Sequence, residues 1–384
     1  MSERPFDIVL FGATGFTGNL VAHALDRRAA DAKFTFAIAG RNPSKLEALR
    51  RSLKTEKVGL IAADIHDADA MHTMASQARV LLTTVGPYAQ HGEACVKACL
   101  AAETDYLDIT GEPEFVIKML REVDADARSK GILMVNCCGF DSIPADLGAL
   151  YTVKRLPENE PKTVKGVVEG RFRASGGTWA SAIHAIASPR AGKGGATPRR
   201  STPKKPGARA FPKGLHRDSA TGSWALPMPV IDPWMVKRSM KARGDYGPDF
   251  TYGQFLGLSS LLKVASLGCK LTLWGVLAKG ELTRNWLLKR LPSGDGPNAS
   301  EREKNHFSVT FTGTTPSARI VTRVSGRDPG YDETSKMFAE AGILTATQRK
   351  SLACQSGVST PAASFGEPLI ESLQALGIRF EVVE

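Results

Sequence analysis

Along the first 140 residues, short apolar runs alternate with stretches whose apolar positions recur every three or four residues. The run at 7–11 ends at a glycine, and a helical pattern follows from Gly15 to Arg28. Further strands are predicted at 34–39, 58–63, 80–85, 105–108 and 132–138, and further helices at 43–53, 67–78, 92–102 and 115–130. Short continuous apolar runs fit strands covered on both faces, and helices between them are the crossovers that parallel pairing needs. Right-handed crossovers place helices on both sides of one sheet. The predicted fold class is α/β, a Rossmann-type doubly wound parallel sheet.

Beyond residue 150 the texture changes. Residues 306–325 alternate apolar and polar around a turn, which predicts a hairpin in a second, α+β domain with an antiparallel sheet. Helical periodicity returns at 334–346 and 361–376, and a last strand is predicted at 378–383. The expected organisation is 1–150 for the first domain and 151–327 for a substrate or dimerisation domain. Residues 328–384 are expected as C-terminal helices and a strand packing back on the first domain. The Leu-rich stretch 255–291 reads first as a core helix, with an apolar wall or interfacial helix as the alternative. Lys263, Lys270 and Lys279 interrupt it, so a membrane span is not expected.

Composition sharpens this picture in two places. The net charge of +11 suggests an anionic partner, but nine Lys or Arg and no acidic residue fall between Ser188 and Arg217. That stretch lacks the interleaved aromatics that stack on bases, so nucleic acid is not an expected partner. It reads as a solvated loop, or else as a dock for anionic headgroups or an acidic acyl carrier. The six cysteines, Cys95, Cys99, Cys137, Cys138, Cys269 and Cys354, form no metal-ligand spacing, and no metal is expected. Free thiols and the lack of a charged-then-apolar leader fit a cytoplasmic location, with peripheral attachment to the inner face of a membrane as a variant.

The candidate chemistry lies at the strand ends. The first strand runs into Gly12-Ala13-Thr14-Gly15-Phe16-Thr17-Gly18. Glycines at that spacing let the backbone approach a diphosphate, and the following helix offers free amides and its positive dipole end. The second strand ends at Arg41-Asn42 with no carboxylate to hold a ribose 2′-hydroxyl, so a 2′-phosphate held by Arg41 is the expectation, with Ser44 and Lys45 as weaker candidates. Asp64 and Ile65, after the third strand, are placed to lie near an adenine; capping the next turn is the alternative for Asp64. Val85-Gly86-Pro87-Tyr88 follows the fourth strand, where backbone would approach a nicotinamide. Tyr88 and Asp141 are the candidate catalytic proton donors, although Asp141 or Ser142 could equally cap the helix that Pro144 helps start. None of the six tyrosines has lysine four residues later, which disfavours a short-chain-dehydrogenase mechanism.

These motifs together resemble the saccharopine dehydrogenase-like oxidoreductases, in the branch of the trans-acting enoyl reductases. The matching stretches include FDIVLFGATGFTG (6–18), IAGRN (38–42), TTVGPY (83–88), YLDITGE (106–112) and CCGFDSIPADL (137–147). SGGTWAS (175–181), GDGPNASERE (294–303), DPGYDETSKMFAEA (328–341) and TPAASFGEPLIESL (360–373) carry the likeness almost to the end. The resemblance implies NADP(H) as cofactor and reduction of a C=C or C=N bond, with long acyl chains as substrates in the enoyl reductase branch. The leading expectation is an NADPH-dependent reductase of an apolar, lipid-like acyl substrate, with a homodimer as a further one. A non-catalytic NADP-binding protein on a membrane or acidic partner is one alternative. An imine reductase of the saccharopine dehydrogenase type is another; it would need carboxylate-binding cations such as Arg171, Arg173 or Arg323.

Overall fold

The structure, a computed structural model, describes residues 4–171, 183, 211–212, 214–228, 230–289 and 296–384. It contains two compact units: 1–143 with 331–376, and 144–330 with 377–384. In the first unit the chain runs β1 (Phe6–Phe11), α1 (Phe16–Ala32), β2 (Phe36–Gly40), α2 (Pro43–Ser52) and β3 (Gly59–Ala62). It continues through α3 (Ala68–Ser76), β4 (Ala78–Thr83), α4 (Tyr88–Ala102), β5 (Asp105–Asp108), α5 (Pro113–Glu122), α6 (Asp124–Ser129) and β6 (Leu133–Val135), and α7 (Ile143–Val153) leads out of the unit. The single helix expected over 115–130 is two, broken at Val123.

The second unit holds β7 (Lys162–Arg171), β8 (His216–Arg217), β9 (Trp224–Pro227), α8 (Asp232–Arg243) and β10 (Phe250–Leu258). Then come α9 (Leu261–Lys279), α10 (Glu281–Lys289), α11 (Ala299–Glu303), β11 (His306–Thr314) and β12 (Arg319–Gly326). The chain returns to the first unit with α12 (Asp332–Gln348), β13 (Gly357–Ser359), α13 (Pro361–Ser364) and α14 (Gly366–Ala375), and ends on β14 (Arg379–Val382).

The first sheet has the order β13-β6-β5-β4-β1-β2-β3, and all six neighbouring pairs are parallel. Its strands are apolar because both faces are covered: Val9, Ala37, Leu81, Tyr106 and Met134 are fully buried. Phe11 stands opposite both Ala39 of β2 and Thr83 of β4, so three strand ends finish at one level. The three-residue β13 adds a seventh strand beside β6, which the sequence did not suggest. In α12, thirteen residues are buried, and its Glu340 accepts from Arg28 of α1 at 2.7 Å.

The second sheet is mixed, in the order β14-β12-β11-β7-β10-β9-β8. The expected hairpin is present as β11 and β12, but β7 and β10 pair in parallel within a sheet expected to be antiparallel. Two expectations need correction. The final strand pairs with β12 in the second sheet and belongs to the second unit, not to the first as expected; Phe380 is buried opposite Val324. The Leu-rich stretch is not a core helix: in α9 only Ala278 is buried, while Leu262 is 83% exposed. By length and composition α9 could cross a membrane, although only 6% of it is buried inside the protein. Most of the basic stretch 188–217, together with Arg173 and SGGTWAS, lies outside the described residues.

Candidate functional site

The strand order of the first sheet reverses direction between β1 and β4, since β1 is followed by β2 on one side and β4 by β5 on the other. A crevice opens above such a switch point, at the carboxyl ends of the strands. Gly12 turns the chain there with φ of +85°. A Cβ on it would stand 2.7 Å from Val85 Cγ2 and 2.8 Å from Thr84 Oγ1, so only glycine lets the two strand ends meet. Thr84 ties them together by donating its hydroxyl to the Gly12 carbonyl at 3.2 Å. At Gly18 a Cβ would fall 2.1 Å from the same carbonyl oxygen, which packs the first turn of α1 onto the glycine loop.

Gly15 is the N-cap of α1 and provides no side chain to satisfy its first amides. A helix start without a side-chain cap presents N–H donors and a partial positive charge, the requirement for holding an anion. Thr14 and Thr17 are half-buried beside it, and Phe16 sets its ring edge-on to Tyr331 at 4.9 Å. The end of β2 borders this loop: a Cβ on Gly40 would lie 3.7 Å from Thr14 Oγ1. Arg41 follows, exposed, with no carboxylate beside it in the sequence. Asn42 caps α2, its Oδ1 accepting from Lys45 N at 3.0 Å, with Pro43 in the first helical position. Asp64 is half-buried and accepts from His66 N at 3.0 Å, so it holds its own turn; Ile65 packs against the apolar core.

Past β4, Val85 and Pro87 are half-buried and Gly86 is exposed at the rim. Helix α4 starts at Tyr88, four residues before the expected Gly92, because Glu112 accepts from the amides of Tyr88 and Ala89 at 3.1 and 2.8 Å. A carboxylate on the first free amides of a helix stabilises that start. The expectation that Tyr88 donates a proton is overturned by its placement. Its ring is buried, and its hydroxyl donates to the Thr83 carbonyl at 2.9 Å and accepts from Ile109 N at 3.4 Å. Desolvation pushes its phenol well above the ordinary value. That hydroxyl holds β4 to the following loop, away from the crevice.

The sequence reading missed the group that shapes the far end of the edge. Asp108 closes β5, is fully buried, and accepts from Tyr106 Oη at 2.9 Å, Asn136 Nδ2 at 2.6 Å and the amides of Thr110 and Cys137 at 3.0 Å each. Burial lifts its carboxyl to about 6 despite these four donors. Cys137 is held at φ of +62°, and Cys138 N donates to the Asp108 carbonyl at 2.8 Å. The turn after β6 is thereby pinned, and Phe140 N donates to Thr334 Oγ1 at 3.1 Å. Asp141 rides on this turn, over Gly111, where a Cβ would stand 2.6 Å from its Oδ2. It is open to solvent yet set among enough protein for desolvation to raise its carboxyl. The one signal that pointed to Asp108 was an acid at the carboxyl end of a short strand whose centre, Tyr106-Leu107, is apolar.

The structure therefore brings the glycine loop, Arg41, Val85–Gly86 and Asp141 to one edge of one sheet. Of the cations considered for carboxylates, Arg171 is exposed at the end of β7, and Arg323 reaches Glu381 at 3.8 Å.

Residues 8–135 match the family model of the saccharopine dehydrogenase NADP binding domain. The chain is 31% identical to a trans-acting enoyl reductase of Mycobacterium ulcerans, over 98% of this chain and 97% of that one. It is 30% identical to the saccharopine dehydrogenase-like oxidoreductase of Rattus norvegicus, over 99% and 98% of the two chains. Among solved structures, the apo saccharopine dehydrogenase (L-Glu forming) of Saccharomyces cerevisiae shares the fold with a TM-score of 0.55, at 12% identity over 99% of this chain and all of that one.

Proposed function

The chain belongs to the saccharopine dehydrogenase-like oxidoreductases, and we propose that it reduces the C=C bond of an enoyl group carried on an apolar acyl substrate. It is an NADP-dependent oxidoreductase; the enoyl substrate is our own reading. The cofactor fits the residues present. The glycine loop has room only for backbone, the first turn of α1 lacks a side-chain cap, and Arg41 stands where an NAD-specific site needs an acid.

In this reading the amides around Gly15–Gly18 hold the diphosphate, and Arg41 forks onto the 2′-phosphate. Val85 and Gly86 would line the nicotinamide when it is bound. When bound, NADPH supplies the hydride to the carbon β to the carbonyl. Asp141 delivers the proton to the α-carbon, a task suited to a carboxyl that solvent reaches and desolvation raises.

The observation that supports the enoyl reading is the end-to-end likeness to the enoyl reductase of Mycobacterium ulcerans. Its test is NADPH consumption with enoyl thioesters of graded chain length. The expected result is turnover that rises with chain length and drops in Asp141→Asn. Tight NADPH binding without turnover of any enoyl thioester, alongside oxidation of amino acids by NADP⁺, would transfer the protein to imine chemistry.

A further inference from the structure

The second unit carries an apolar surface that stands exposed among the described residues. Helix α9 turns two faces to different surroundings. Trp274, Leu277 and Ala278 pack with Leu287 of α10 and with Ile183. At 100° per residue the opposite face reads Leu262, Ala265, Cys269, Leu273 and Val276, the spacing of a continuous apolar stripe. All five are exposed, Leu262 by 83%, Leu273 by 56% and Val276 by 64%. Helix α10 extends the same surface with Leu282, 87% exposed. Seven of the eleven exposed large hydrophobics among the described residues fall between Leu261 and Trp286. Such clustering on a folded protein marks an interaction surface.

Charge identifies what the surface fits. Lys263 and Lys270, seven residues apart, are exposed to one side of the stripe, on the arc that also holds Trp274 and Leu277, and Lys279 ends the helix. No acidic residue occurs from Phe250 to Gly280. An apolar stripe bordered by lysines and free of carboxylates complements the acyl boundary and anionic headgroups of a bilayer, with the lysine stems reaching up to phosphates. Topology decides between crossing and lying flat. Leu256 of β10 stands opposite Val168 and His306 of β11 opposite Arg171, so the chain leaves and re-enters the sheet at the same end. Nineteen residues of α9 rise about 28 Å, but the nine of α10 rise only about 13 Å, too little to return across the hydrocarbon. A span would also centre Lys270 in the hydrocarbon.

We propose that α9 and α10 form a helical hairpin that inserts the Leu262–Val276 face, without crossing, into the interface of an anionic phospholipid bilayer. This inference is independent of the enoyl reading, because its readout is lipid binding and not turnover.

The test is flotation of the full chain with vesicles of phosphatidylcholine alone and of an equimolar mixture with phosphatidylglycerol, paired with light scattering of the free protein. The protein is expected to float with the anionic vesicles and to lose that binding as salt rises. Leu262→Asp with Leu273→Asp should weaken flotation more than tenfold. Lys263→Gln and Lys270→Gln should each weaken it about fivefold, and only on anionic vesicles. Failure of the parent protein to float, or flotation unchanged by the double aspartate substitution, overturns the proposal. So does a stable dimer that the same substitution splits, since the surface is then a seam between two copies. The substituted side chains are solvent-facing, and unchanged circular dichroism and urea unfolding confirm that the variants are folded.

Discussion

Two helices of nearly equal length have opposite fates. Helix α12 carries four charged residues among seventeen and is buried along thirteen of them. Helix α9 carries three among nineteen, all lysine, and is exposed at thirteen of its positions and buried only at Ala278. Average polarity would rank their burial the other way round. The difference lies in partners. The acids of α12 meet cations on their own chain: Glu340, 1% exposed, takes the Arg28 guanidinium at 2.7 Å, and Glu333 takes Lys336 at 2.9 Å. The outer apolar stripe of α9 faces solvent instead. Burial follows complementary partners, and an apolar surface left outside by its own chain marks what it meets from elsewhere.

The same rule governs Asp108, and its removal should be the most damaging change. Asp108→Ala leaves the donors of Tyr106, Asn136, Thr110 and Cys137 without their acceptor, a loss of about 4 kcal/mol read by urea unfolding. Retained stability would break the partner rule at its strongest point. Arg28→Ala should follow at about 3 kcal/mol, because it strands the Glu340 carboxylate inside α12's packing.

A third effect is a pH dependence whose sign is fixed by direction. The Asp108 carboxyl lies at about 6 in the folded protein, above its ordinary value, so the folded state holds that proton more tightly. Its contribution to stability is complete below about pH 4 and is lost as pH rises through about 6. The stability difference between the parent and Asp108→Asn should therefore widen on acidification from pH 7 to 4, by up to about 3 kcal/mol. The smallest effect belongs to α9. Without lipid, Leu262→Asp with Leu273→Asp should change stability by no more than about 0.5 kcal/mol, measured by the same unfolding. A larger loss would mean that the stripe is covered after all.

Much of the first sheet was legible because a doubly covered parallel strand is apolar where it is covered: β2 and β6 show it along their whole length, and β1 and β4 over 8–11 and 80–82. The glycine loop and Arg41 were legible because their chemistry is local: three glycines and a missing acid within one turn of a strand end. Tyr88 was misread because its direction depends on Glu112, 24 positions on, which fixes where α4 begins. Asp108 was hidden for a similar reason: its strongest side-chain partner, Asn136, lies 28 residues away. Strand β13 is three residues long and sits on a sheet edge, too short to leave a period. The exposure of α9 was illegible because its lysine spacing suits a surface and its leucines suit a core; only the fold shows which face stands exposed among the described residues.

Whether the glycine loop and Arg41 hold NADP(H) is read out by isothermal titration of NADPH and NADH into the parent and Arg41→Ala. The parent should prefer NADPH, and the substitution should remove most of that preference, a loss of roughly 1.5–3 kcal/mol for NADPH with NADH nearly unchanged. Equal affinity of the parent for both nucleotides, or an Arg41→Ala variant that still prefers NADPH by the same margin, would contradict it.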